Sequence, residues 1–132
     1  MESAKEVKSS IVQTSFGNIY YLYSGIPSSP LFLIVHGSGT ASSSKDYETL
    51  LFEYKIRFIE QFPLFFVAID CPGYGKSTGL KSVIRGFPMK FLQEIIPKIA
   101  NGQKSAFILM GHSQGGFSLI NSVLANPLIC DF

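Results

Sequence analysis

The sequence predicts an α/β protein with a mostly parallel sheet of about five strands flanked by helices. Three observations predict it. Apolar runs without alternation, "LFLIV" (31–35), "LFFVAI" (64–69) and "SAFILM" (105–110), have the character of strands buried on both faces. Between and after them, apolar residues recur at helical spacing. Ahead of them, the β-rich runs "IVQT" and "IYYLYS" flank "SFGN", which predicts an opening hairpin with a Gly-Asn turn.

Taken in order, residues 1–10 read as a polar tail and residues 11–132 as one domain. After the hairpin, "GIPSSP" punctuates the chain before the first buried strand, and the small-residue loop "GSGTASSSK" leaves it. From about Asp46, the residues Tyr47, Leu50, Leu51, Tyr54 and Phe58 fall on one helical face, and Pro63 ends that helix. "LFFVAID" is the second buried strand and "CPGYGKSTG" the loop after it. A helix from about Pro88 carries Phe91, Leu92, Ile95 and Ile99, with Pro97 expected to kink or shorten its last turn. "NGQK" closes it, and "SAFILM" leads to a third helix, "QGGFSLINSVLA", expected to be central and buried.

Composition narrows the function classes. A hydrophobic content of 46% and a mean hydropathy of +0.27 indicate a folded, core-rich chain in which twelve Phe replace Trp entirely. The net charge of +2 is scattered, with no basic stripe, so nucleic acid is not an expected partner. No apolar run approaches a membrane span, and "MESAKEVKSS" lacks the apolar core of a signal peptide. Cys71 and Cys130 have neither metal nor redox spacing, which suits reduced thiols in a cytoplasmic protein. Nothing in the sequence calls for a cofactor or a metal.

The chemistry is concentrated in three stretches. Gly111-His112-Ser113-Gln114-Gly115 fits Gly-x-Ser-x-Gly between a predicted strand and a predicted helix. There a sharp turn holds the serine in strained geometry, and the helix start aims N–H groups at developing negative charge. A tight turn that merely contains serine is the plainer alternative. His36-Gly37-Ser38-Gly39 leaves the first buried strand at its C-terminal end, where open α/β sheets build sites. It reads as an oxyanion loop or as a flexible surface loop. "DCPGYGKS" contains Gly-Lys-Ser, but a phosphate loop needs glycine five residues earlier, where Asp70 stands.

Together, "VHGSG", "DCPGYGKS" and "GHSQGG", in this order and at these separations, resemble the α/β-hydrolase superfamily over nearly the whole chain. The resemblance implies that Ser113 is a nucleophile and that the backbone N–H groups of Gln114 and Ser38 form an oxyanion hole. It implies supporting roles for His36, Gly37, Gly39, Gly111, His112, Gly115, Asp70, Gly73 and Gly75. Tyr74 and Lys76 would border the pocket or, on the plainer reading, belong to a solvated loop. The implied activity is hydrolysis of an ester, amide or thioester through an acyl-Ser113 intermediate.

The chain departs from that pattern at the general base and the acid, which the family places after later strands. Its two histidines already occupy motif positions. Asp131 falls at the wrong edge of the sheet, and Asp70 at the right edge but in a loop-orienting position. The expectation is an N-terminal fragment of an α/β-hydrolase fold, inactive or very weak alone. The alternative is a non-catalytic module that binds a small apolar ligand or a partner chain. In either case the third parallel strand would form an exposed apolar edge prone to self-association.

Overall fold

The computed structural model describes residues 7–39, 41–81, 87–100 and 108–125. Five strands form one mixed sheet in the order β1-β2-β4-β3-β5. They are β1 (Lys8–Thr14), β2 (Gly17–Gly25), β3 (Leu31–Val35), β4 (Phe65–Ile69) and β5 (Ile108–Gly111). β1 pairs antiparallel with β2, and β2 antiparallel with β4, while β3 runs parallel to both β4 and β5. The expected hairpin and three parallel strands are therefore present. The hairpin turn differs: Thr14 pairs with Gly17, so Ser15 and Phe16 make the turn and Gly17-Asn18 already belong to β2. Strand β1 also begins at Lys8, inside the segment read as a tail.

Alternation in the central strands sorts side chains to two cores. Leu31, Leu33 and Val35 of β3 join Phe65, Val67 and Ile69 of β4 on one face. There they meet Phe91, Leu92, Ile95, Ile96 and Ile99 of α2 (Phe87–Ala100) and Leu119 of α3 (Gln114–Ala125). Ile34, Phe66 and Ala68 point the other way, onto Leu51 and Tyr54 of α1 (Glu48–Arg57). A sheet covered on both sides explains why β3 and β4 carry no polar alternation.

The helices hold three departures from expectation. Helix α1 is preceded by a 3-10 turn (Ser44–Tyr47) capped by Ser43, and it ends at Arg57, well before Pro63. Only Leu51 and Tyr54 of its expected apolar face are buried; Leu50 and Phe58 are exposed. Helix α2 contains Pro97 and runs to Ala100, next to the "NGQK" expected to close it. Helix α3 is buried through its small residues, Gly115, Ser118 and Ser122, together with Leu119, whereas Ile120 and Leu124 are 62% and 73% exposed. The expectation of a buried α3 is thus corrected: it packs closely through small side chains and leaves much of its apolar bulk outward. "NGQK", the start of "SAFILM", Cys130 and Asp131 lie outside the described residues.

Candidate active site

The C-terminal ends of β3, β4 and β5 bring the three motif loops to one edge of the sheet, because the strands are parallel neighbours. Val35 pairs with Ile69 on one side and with Gly111 on the other, so the loops they lead into start side by side.

At the end of β5 the chain turns into α3 through Ser113, whose φ of 55° makes it the one non-glycine residue with positive φ among those described. That region costs an L-residue free energy and persists only where the surroundings enforce it. The enforcement here is close packing. A Cβ on Gly111 would strike the backbone of Gly116, and one on Gly115 would strike the carbonyl oxygens of Val35 and His36. The Gly115 N–H donates to His112 O at 2.9 Å and the His112 N–H to Val35 O at 3.1 Å, tying the turn to the end of β3. Ser113 and His112 remain exposed.

The loop after β3 packs directly on this turn. A methyl group placed on Gly37 would stand 3.5 Å from Ser113 Cβ and 3.3 Å from His112 Nδ1. Gly39, at the outer end of the same loop, lies close to Ser42 Oγ. Among the described residues, the N–H groups of Ser38 and Gln114 have no acceptor. Ser38 lies in the loop after β3 and Gln114 opens α3, on the two sides of the close approach between Gly37 and Ser113.

The loop after β4 buttresses the other two and contributes no reacting group. Asp70 is buried, and its carboxylate accepts from Ser44 N–H at 2.6 Å and from Lys76 N–H at 2.8 Å. Gly73 and Gly75 both have positive φ, and a Cβ on Gly75 would overlap the Asp70 carboxylate. Ser77 Oγ donates to Asp70 O at 2.6 Å and accepts from Tyr20 N–H at 2.9 Å, fastening the loop to β2. The carboxylate is thus committed to holding backbone amides. Tyr74 corrects the plainer reading of a solvated loop: it is buried, and its hydroxyl donates to Ser38 O at 3.2 Å. Lys76 is exposed, with Nζ 4.9 Å from the centre of the Tyr20 ring.

His36 is 3% exposed and has both ring nitrogens engaged, so it has no free nitrogen for a serine proton. Burial lowers its pKa below the ordinary 6.5. Cys71 is free, and burial of its thiol, with the Asp70 charge adding, pushes its pKa up to about 12. A cavity of about 390 Å³, polar and apolar in similar measure, lies among Tyr20, Leu22, Ser44, Glu48, Asp70 and Lys76, and Ser113 does not line it. The sequence reading missed Ser44 and Ser77 as partners of Asp70; the serine ending "DCPGYGKS" was the available signal for the second.

The chain has the α/β-hydrolase fold. It superimposes on a thioesterase domain from the curacin biosynthetic pathway with a TM-score of 0.70 and 21% identity, covering 92% of this chain and 40% of that one. A predicted CIB-like hydrolase from Thermoplasma acidophilum gives 0.68 and 23%, covering 93% of this chain and 58% of that one. Epoxide hydrolase VrEH1 from Vigna radiata gives 0.71 and 19%, covering 94% and 37%. The chain therefore spans 37–58% of the length of these three structures. No family model matches the sequence, and no curated protein matches it. Among the described residues no helix is long and apolar enough to cross a membrane.

Proposed function

We propose that this chain carries the nucleophile half of a serine-hydrolase site. The carrying observation is Ser113 at φ 55° in a strand-to-helix turn against Gly37, with the N–H groups of Ser38 and Gln114 lacking an acceptor among the described residues. In the proposed reaction Ser113 Oγ attacks the carbonyl carbon of an ester, amide or thioester while its proton passes to a general base. The carbonyl π pair moves onto oxygen, where the two N–H groups stabilise it. Collapse breaks the bond to the leaving group, which takes the proton, and water repeats the sequence to release the acid.

The base and its carboxylate partner are not supplied by His36, whose ring is occupied, or by Asp70, whose oxygens hold backbone amides. His112 immediately precedes Ser113, a poor position for accepting that hydroxyl's proton. The three motif loops therefore supply neither role, and the chain spans only 40% and 37% of the length of two matching structures. Without a base this chain has at most weak activity, because triad members act as a unit.

A fluorophosphonate probe tests the reading. Slow labelling that is lost in Ser113→Ala supports it, and labelling that persists in Ser113→Ala overturns it. The second reading, a non-catalytic binding module, is favoured by the apolar cavity of about 280 Å³ among Leu109, Leu119, Ile120, Val123 and Leu124. Its occupant on this reading is a second copy of the chain. Residues 105–130 include no Asp, Glu, Lys or Arg, so nothing in that stretch repels an identical surface.

A further inference from the structure

Three consecutive carbonyl groups of the loop after β3 are held, and only the middle one is held from outside that loop. Gly37 O lies 2.6 Å from Nδ1 of the adjacent His36 ring, and Gly39 O accepts from Ser42 N–H at 2.9 Å. Between them, Ser38 O accepts from the Tyr74 hydroxyl at 3.2 Å. The Gly39 N–H, at the other end of the same peptide, has no acceptor among the described residues. Among those residues the Tyr74 hydroxyl is therefore the one tie on the Ser38–Gly39 peptide.

The donor itself is firmly placed. Tyr74 is buried, its N–H donates to Cys71 O at 2.9 Å, and its carbonyl accepts from Ser77 N–H at 3.0 Å. Its ring packs on His36 with centroids 4.9 Å apart, and Lys81 Nζ stands 4.3 Å from its centre. Burial, with Cys71 adding, raises the phenol pKa above the ordinary 10.0, so the hydroxyl keeps the proton it donates.

Peptide geometry says what this tie prevents. A trans peptide is planar, with C=O and N–H pointing in opposite directions, so a half-turn exchanges them. The turn needs changes only in ψ of Ser38 and φ of Gly39, and glycine accepts either sign of φ at little cost. Tyr74 approaches from the loop after β4, whereas Ser113 stands on the turn after β5, and β3 lies between those two strands. The observed orientation thus turns Ser38 O away from the side of Ser113. A half-turn would aim that oxygen, with its partial negative charge, at the side where acyl transfer develops an oxyanion.

We propose that Tyr74 is a positioning residue whose hydroxyl holds the Ser38–Gly39 peptide with its carbonyl turned away from Ser113. The proposal rests on the reading of Ser113 and of the Ser38 N–H given above. Removing the hydroxyl frees the peptide to turn and so slows attack by Ser113. The fold persists, because Ser38 is exposed and water satisfies its carbonyl.

The experiment compares two variants. Tyr74→Phe keeps the ring on His36 and under Lys81, while Tyr54→Phe removes a hydroxyl that donates to Phe62 O, ahead of β4 at the opposite end of the sheet. Two quantities are read. One is the residual dipolar coupling of the Gly39 amide in the weakly aligned 15N-labelled chain, and the other is the rate of fluorophosphonate labelling at Ser113. In Tyr74→Phe the Gly39 coupling should change while those of β3 and β4 stay. Labelling should slow by up to about 5-fold, the worth of one neutral hydrogen bond. Tyr54→Phe should lower the urea midpoint and leave both quantities at their wild-type values, which separates positioning from a general loss of stability. A Gly39 coupling unchanged in Tyr74→Phe overturns the proposal, whether or not Ser113 labels, and so does a turned Gly39 with an unslowed label. A Gly39 coupling that moves in Tyr74→Phe alone, in a chain whose labelling persists in Ser113→Ala, supports the hold of Tyr74 on the loop and removes the nucleophile reading alone.

Discussion

Strands β3 and β5 are parallel neighbours with similarly apolar sequences, and they differ in nearly everything else. Leu31, Leu33, Ile34 and Val35 of β3 are buried, because β4 and β5 pair with both edges and helices cover both faces. Among the described residues β5 has β3 on one edge and no strand on the other, and Ile108 and Met110 are 49% and 37% exposed. An apolar run therefore records a capacity for burial, and the number of neighbours decides whether it is realised. The same contrast separates α2, whose Phe91, Leu92, Ile95 and Ile96 are fully buried, from α3, which exposes Ile120 and Leu124.

The largest expected effect tests that contrast directly. Leu33→Ala removes a fully buried side chain between two paired strands and should cost about 3 kcal/mol. Ile108→Ala, at a half-exposed edge position, should cost less than about 1 kcal/mol. Urea titrations of the two variants check the difference. Equal costs would show that β5 is as enclosed as β3 and would break the comparison. A related pair concerns the loops: Asp70→Ala leaves the Ser44 and Lys76 N–H groups without their acceptor and should cost about 3 kcal/mol. Ser77→Ala at the same loop should cost about 1 kcal/mol.

The parts of the site legible in the sequence were those fixed by backbone geometry. Gly111 and Gly115 announced a turn too tight for side chains, and Ser113 indeed sits at positive φ between them. Asp70 was readable as a loop-orienting group only through its place in the motif that the family resemblance supplied, and its carboxylate does hold the Lys76 amide. Burial set by partners distant in sequence was not legible. Tyr74 looked like a loop residue, yet its environment comes from Ser38 and His36, and no local pattern records that meeting. The apolar periodicity of α1 overestimated its buried face for the same reason. Leu50 and Phe58 satisfy the spacing but meet no sheet, while Leu51 and Tyr54 do. Helix α3 failed in the opposite sense: its small residues mark the side that packs closely, and its large ones point outward.

The exposed side of the comparison predicts concentration-dependent association. Sizing chromatography should show the chain larger than its 14.5 kDa mass, approaching that mass on dilution. Ile108→Lys combined with Ile120→Lys should shift it to monomer with little change in the urea midpoint, because both sites are exposed in the single chain. A wild-type chain that is already monomeric at every concentration would remove the second-copy reading and leave the fold unaffected.

Two pH effects sharpen the same division between enclosed and open regions. His36 has its pKa lowered in the folded state, first by burial, so folding favours the neutral ring. Its contribution is complete above the unfolded value of 6.5 and is lost as the pH falls below it toward the lowered folded value. Stability should therefore decline on acidification in that window, and the decline should be absent in His36→Asn. Glu94 of α2 offers the weaker, open counterpart. Its pKa is lowered chiefly by the hydrogen bond from Ser15 at the hairpin turn, with Lys98 adding. A depressed carboxylate contributes above its unfolded value of 4.5 and loses that contribution as the pH falls through the folded one. Because solvent reaches the pair, Glu94→Gln should change the melting temperature only slightly at neutral pH, and the difference should vanish in acid. A Glu94 effect as large as that of His36 would mean that the hairpin turn is held as firmly as the loops at the site, contrary to the contrast drawn from burial.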